Sequence, residues 1–104
     1  MIKLTVLYGH PNDSSDFETY YAGIHLPLAA KTQDIEKMEL TKFLPNPDGS
    51  APANYRMAEL YFTSQAQMQQ ALGSPDGQAM AADLQNFATG GVTLLFGTVE
   101  NHVR

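Results

Sequence analysis

Short apolar runs and amphipathic stretches alternate along the chain, and the period of each predicts its element. "IKLTVLY", Ile2 to Tyr8, is rich in β-branched and aromatic residues and stops at the turn formers of "GHPND", which predicts a first strand and its loop. Ser15 followed by Glu18 has the spacing of a capping box, so a helix is expected to open there. Phe17, Tyr20, Tyr21, Ile24 and Leu28 then recur on one face at helical period, and that face is expected to be buried. "DIEKMELTKFL" sets Met38 and Leu40 against Lys37, Glu39 and Thr41, a second strand ending near Phe43, before the proline-rich loop "PNPDGSAPAN". "YRMAELYFT" reads as a third strand. Ser64 with Gln67 is another capping-box pattern, opening a second helix at "SQAQMQQAL". "GSPDG" interrupts that helix, and its periodicity resumes through Met80, Leu84 and Phe87 until "TGG", where glycine tolerates positive φ. "VTLLFGTVE" is the fourth strand.

The order β-α-β-β-α-β predicts an α+β, ferredoxin-like domain over residues 1–104, a four-stranded antiparallel sheet with both helices on one face. Ile2, Leu4, Val6 and Tyr8 of the first strand and Ala58, Leu60 and Phe62 of the third form the rows expected to face the helices. Leu7, Met57, Tyr61, Leu95 and Val99 fall on the opposite face beside Lys3, Thr5 and Glu59. That set is too apolar for a face left open to water, so a partner chain is expected to cover it. Arg56 and Glu59 lie on opposite faces of the third strand and cannot form one cluster; each reads as structural or interfacial.

Composition narrows the function. With 43% hydrophobic and 16% charged residues in 104, the chain is a globular one, too apolar for disorder. A formal charge of −5 with six Lys and Arg argues against nucleic acid or an anionic membrane as partner. No cysteine is present, which removes disulfides, thiolate metal sites and cysteine nucleophiles. The first residues resemble neither a secretory signal nor a membrane span, and the cytoplasm is the expected compartment. His10, His25 and His102 fall in a loop, a helix and the tail, with no ligand spacing for a metal. Gly90 and Gly91 precede a strand, whereas a phosphate cradle needs a following helix, and no "GxSxG" elbow occurs. No cofactor is expected.

Three blocks, "YGHPNDSSDFETYYAGIHLPLAAK", "YRMAELYF" and "SPDGQAMAADLQNFATGGVTLLFG", resemble the EthD family, with tyrosines ahead of His25-x-Pro27 and Asp83-x-x-x-Phe87 before Gly90-Gly91. The resemblance spans nearly the whole chain. It implies the dimeric α+β barrel, in which two ferredoxin-like protomers pair through their outer sheet faces. It also implies a small, largely apolar ligand held between sheet and helices, of the catabolic or polyketide type handled by fold relatives.

His25 follows Phe17 by eight residues and Tyr21 by four, within one helical position of the apolar stripe. An imidazole there is suited to proton transfer near neutral pH. The competing reading is structural: Pro27 lacks an N–H, and the freed carbonyl of Gly23 is a partner for the ring. Tyr8, Tyr20, Tyr21 and Tyr61 are candidates to present phenols to a ligand oxygen, against the alternative of core tyrosines with one wet end. Asp83, four residues before Phe87, is placed to orient His25 or cap a pocket, unless it belongs to a solvated face; the family block sets it and Phe87 among the ligand-site candidates. Two functions follow. One is a cofactor-independent isomerase, cyclase or lyase with His25 as acid and base. The other is a non-catalytic accessory protein that sequesters a hydrophobic intermediate of a degradation pathway.

Overall fold

The structure is a computed structural model describing residues 1–103. Its strands β1 (Ile2–Tyr8), β2 (Lys37–Lys42), β3 (Arg56–Phe62) and β4 (Val92–Thr98) form one antiparallel sheet in the order β2-β3-β1-β4. Between β1 and β2 run α1 (Ser14–Tyr20), a π-helical turn (Tyr21–His25) and α2 (Leu26–Lys31). Between β3 and β4 run α3 (Gln65–Gly73), α4 (Pro75–Asp83) and a 3₁₀ turn (Leu84–Asn86). This is the ferredoxin-like α+β arrangement read from the sequence.

The register explains which face is buried. Met38, Leu60, Leu4 and Phe96 lie side by side across the sheet, as do Leu40, Ala58, Val6 and Leu94, and both rows face the helices. A third row on the same face carries Lys42, Arg56, Tyr8 and Val92. Over the two central strands Leu4, Val6, Tyr8, Ala58, Leu60 and Phe62 are buried on the inner face, and Tyr8, Phe62 and, from the helices above, Tyr21 are among the most deeply enclosed side chains. The helices do not extend over β4: Leu94 is 44% and Phe96 58% exposed on the inner face. On the outer face Tyr61 lies between Lys3 and Lys37, Glu59 bonds Lys3 at 2.8 Å, and Leu7 and Met57 stay half-buried.

Two expected caps differ from those observed. Asp13, not Ser15, caps α1 by accepting from the Asp16 N–H, and Glu18 turns instead to Arg56. Ser64 does cap α3 through the Gln67 N–H, but the Gln67 side-chain oxygen is buried without a partner, so the reciprocal half of that box is not made. Near β4 only Gly91 has positive φ, at 92°. Gly90 is needed for a different reason: a Cβ there would collide with the His10 carbonyl, because this turn crosses the loop after β1 with backbone against backbone.

Candidate functional site

The helix above β1 changes register where the chemistry lies. The Leu26 N–H bonds the Tyr21 carbonyl, one residue further back than an α-helix allows. Pro27 explains the widened turn: it has no N–H to give, and in a regular helix its ring would press on the Gly23 carbonyl. The extra residue rotates everything beyond it. Buried positions then fall at Phe17, Tyr21, His25 and Ala29, four apart, rather than along the regular stripe. Ile24, expected in the core, is 48% exposed, and Leu28 is only half-buried. His25 takes the place the stripe assigned to Ile24.

Asp83, at the end of α4, receives it. His25 Nδ1 lies 3.0 Å from Asp83 Oδ2, while Asp83 Oδ1 accepts from the Tyr20 hydroxyl at 2.6 Å and the Asn86 amide at 3.0 Å. His25 and Asp83 are only 5% and 6% exposed, so the pair joins the two helical layers away from bulk water. Burial pushes the Asp83 pKa up most strongly of any single influence, but the bonds from Tyr20, Asn86 and His25 together outweigh it and hold the carboxyl below its ordinary range. The bond to Asp83 raises the Tyr20 phenol in turn. Because the carboxylate is acceptor-only, the proton of this bond belongs to Nδ1, and of the two neutral tautomers the one it favours carries its lone pair on Nε2. The freed Gly23 carbonyl does not take the ring; no hydrogen bond among the described residues joins them. Phe87, 4.6 Å from the imidazole centre to centre, and Tyr21, nearly parallel to it at 5.9 Å, fix its plane.

His25 lies in the wall of a cavity of about 110 Å³ between sheet and helices. Leu4, Val6, Ala58 and Leu60 form its floor, Leu26, Ala29, Met80 and Leu84 its roof, and Leu94 and Phe96 its side toward β4. Its polar side chains are His25, Tyr8 and Tyr21; no Lys, Arg, Asp or Glu lines it among the described residues. Burial pushes the Tyr8 phenol up, with the nearby Tyr21 and Asp83 adding to it. Burial likewise pushes Tyr21 up to about 12, although Arg56, 5.2 Å from its ring centre, pulls the other way. The Tyr21 hydroxyl is buried with no hydrogen-bond partner among the described residues, although its ring meets Tyr8 edge-on at 5.6 Å.

The candidates therefore divide. His25, Tyr8 and Tyr21 share the cavity wall; Asp83, Tyr20 and Phe87 stand behind them and fix the imidazole. Tyr61 is not brought to the site: it lies on the outer face with its hydroxyl on Glu39 at 2.7 Å, because it is one residue out of phase with inward-facing Leu60. Sequence reasoning missed Asn86, whose signal is its position three residues after Asp83. It also missed the ion pair of Glu18 with Arg56, bidentate at 2.6 and 2.9 Å and joined by the Tyr55 hydroxyl at 3.0 Å. No sequence spacing signals that pair, which rests on α1 packing over β3. His10, exposed, bonds the Pro52 carbonyl and stands apart from the site, and His102 lies in the exposed tail.

The model of the EthD domain matches residues 10–91. The chain belongs to the EthD family. An EthD-family crystal structure from Bacillus halodurans superposes with a TM-score of 0.90 at 32% identity, over 96% of this chain and 99% of that one. A Rhodococcus erythropolis protein, described as an uncharacterized 11.0 kDa protein of the thcB-thcC intergenic region, is 42% identical over 92% of both chains. The hydroxynitrile lyase of Passiflora edulis superposes with a TM-score of 0.75 over 99% of this chain and 97% of its own. At 13% identity that likeness to the EthD chain is one of fold. No helix among the described residues is long and apolar enough to cross a membrane.

Proposed function

We propose that this EthD-family protein binds a small, largely apolar metabolite between sheet and helices and moves a proton on it without a cofactor, His25 serving as acid and base. The observation that carries this is the Asp83–His25 pair at the wall of an apolar cavity, with Nδ1 committed to the carboxylate and Nε2 left for a ligand. Asp83 is the positioning residue: it sets the tautomer, opposes rotation of the ring and stabilises the imidazolium formed when Nε2 takes a proton. Tyr8 and Tyr21 line the same space, and in this reading their phenols are the hydrogen-bonding groups nearest the base. Isomerisation, cyclisation and carbon–carbon cleavage of a carbonyl compound all lie within reach of one such base.

The partner belongs to the same proposal. Leu7, Met57 and Leu95 on the outer sheet face support pairing of two copies back to back. Native mass spectrometry of protein purified from its own host reads subunit number and retained ligand together; two subunits and a bound small molecule are expected, and a strict monomer contradicts the pairing. With the retained compound as substrate, His25→Ala is expected to abolish turnover while the circular dichroism spectrum is unchanged. Undiminished affinity in His25→Ala, with no turnover by the unaltered protein, instead identifies an accessory protein that holds the compound.

A further inference from the structure

Among the described residues, Tyr21 is the cavity-lining side chain whose polar atom is buried without a hydrogen-bond partner. A buried hydroxyl without a partner is costly, and folded proteins rarely keep one unless something outside the chain completes it. Tyr21 is also among the most firmly held side chains. Its ring packs against Phe17 at 5.3 Å, Phe87 at 5.8 Å and His25 at 5.9 Å, with the Arg56 guanidinium over one face. It stands four residues before His25 on the widened turn, its ring nearly parallel to the imidazole, and both residues line the cavity.

We propose that Tyr21 is the hydrogen-bond donor for the carbonyl oxygen of the substrate, and that the substrate is a neutral, enolisable carbonyl compound with a ring-sized apolar body. This rests on the proton-transfer reading of His25. Removal of a proton from a carbon next to a carbonyl by His25 Nε2 turns the C–H electron pair into the C=C bond of an enolate. The displaced π pair moves to oxygen, where the Tyr21 O–H stabilises it. Return of the proton from Nε2 to the same carbon or to a conjugated one restores a neutral carbonyl, and no co-reactant is consumed. Burial keeps the phenol protonated throughout the neutral range and therefore a donor.

Neutrality follows from what the wall lacks. Arg56 is spent on Glu18, Asp83 on Tyr20, Asn86 and His25, and no cationic side chain other than a protonated His25 faces the cavity among the described residues. A carboxylate or phosphate would lose its hydration there without a fixed counter-charge. The size follows from the cavity volume of about 110 Å³, of the order of engineered apolar cavities that take up benzene. Longer substituents have an exit past exposed Leu94 and Phe96.

The test uses cyclohexanone, cyclohexene and cyclohexanecarboxylate, which share a ring and differ in the oxygen group. Proton NMR in D₂O follows binding of all three and exchange of the hydrogens beside the ketone. The unaltered protein is expected to favour cyclohexanone over both others and to catalyse its exchange. Tyr21→Phe is expected to slow that exchange about 10²- to 10³-fold and to erase the preference for the ketone over cyclohexene. Its melting temperature is expected to be equal or higher, since the orphaned hydroxyl is gone. Wild-type exchange by Tyr21→Phe, tighter binding of the carboxylate, or no binding of the ketone overturns the assignment. If the ketone preference depends on Tyr21 but His25→Ala exchanges as fast as wild type, the proton-transfer reading fails and carbonyl recognition by Tyr21 stands.

Discussion

Each helical layer contains one proline, and the two prolines act in opposite ways. Pro75 opens α4 at a position where its missing N–H is not needed, and Ser74 closes the break by accepting from the Gly77 N–H and donating to the Ala71 carbonyl. The chain there stops one regular helix and begins another. Pro27 lies inside a continuous helical run with no cap beside it, and the backbone absorbs it by widening one turn. The first arrangement punctuates the chain. The second rotates the face of the helix and puts His25 and Ala29 where Ile24 and Leu28 would have packed. A proline with a serine cap before it therefore reads as a boundary, and a proline without one as a shift of register.

The largest effect expected on this contrast comes from Phe87, which is 4% exposed and touches Tyr8, Phe17, Tyr20, Tyr21 and His25. Phe87→Ala is expected to lower the free energy of unfolding by about 3–5 kcal/mol in urea titrations, because it empties the space where the rotated helix meets the end of α4. Next is Asp83→Asn, which keeps the shape and removes the charge. Turnover is expected to fall about 10²-fold or more, with the fold retained in the far-ultraviolet spectrum.

The same variant tests a pH dependence. The Asp83 carboxyl has a lower pKa folded than unfolded, so the stability it supplies is complete above the ordinary carboxylate value near about 4. It is lost as pH falls through the lower folded value. Melting temperature below about pH 4 should therefore drop less steeply in Asp83→Asn than in the unaltered protein.

Ser74→Ala removes both bonds of the clean break and is expected to cost about 1 kcal/mol, read from denaturant midpoints, with turnover unchanged. The smallest stability effects are those of the prolines themselves. Pro27→Ala and Pro75→Ala are each expected to change stability by less than about 1 kcal/mol. Only Pro27→Ala should reduce turnover, since only there does a restored N–H permit the regular register that carries His25 off the wall. Equal activities in the two variants would dissolve the contrast.

Much of the fold was legible because strand patterns are local. Leu4, Val6 and Tyr8 alternate with Lys3, Thr5 and Leu7, and that period alone separates the buried face of β1 from the outer one. The Ser64 cap and the loop at "PNPDGSAPAN" were equally readable, since turn chemistry is confined to a few consecutive residues. The helix stripe was readable only as far as Tyr21. Beyond it the ideal period favoured Ile24, and nothing in the residue types says whether Pro27 ends the helix, kinks it or widens it.

The candidate site divides along the same line. The sequence by itself determined the element order, the sheet faces, the family and the residues capable of acid–base chemistry, because these depend on local period and side-chain type. Only the tertiary structure decided that Asp83 meets His25 across 58 positions of chain, that Tyr61 faces away, and that Glu18 serves Arg56 rather than a helix end. Those outcomes depend on how two helical layers pack over one sheet. A single added residue in one turn is enough to change which side chain reaches the core.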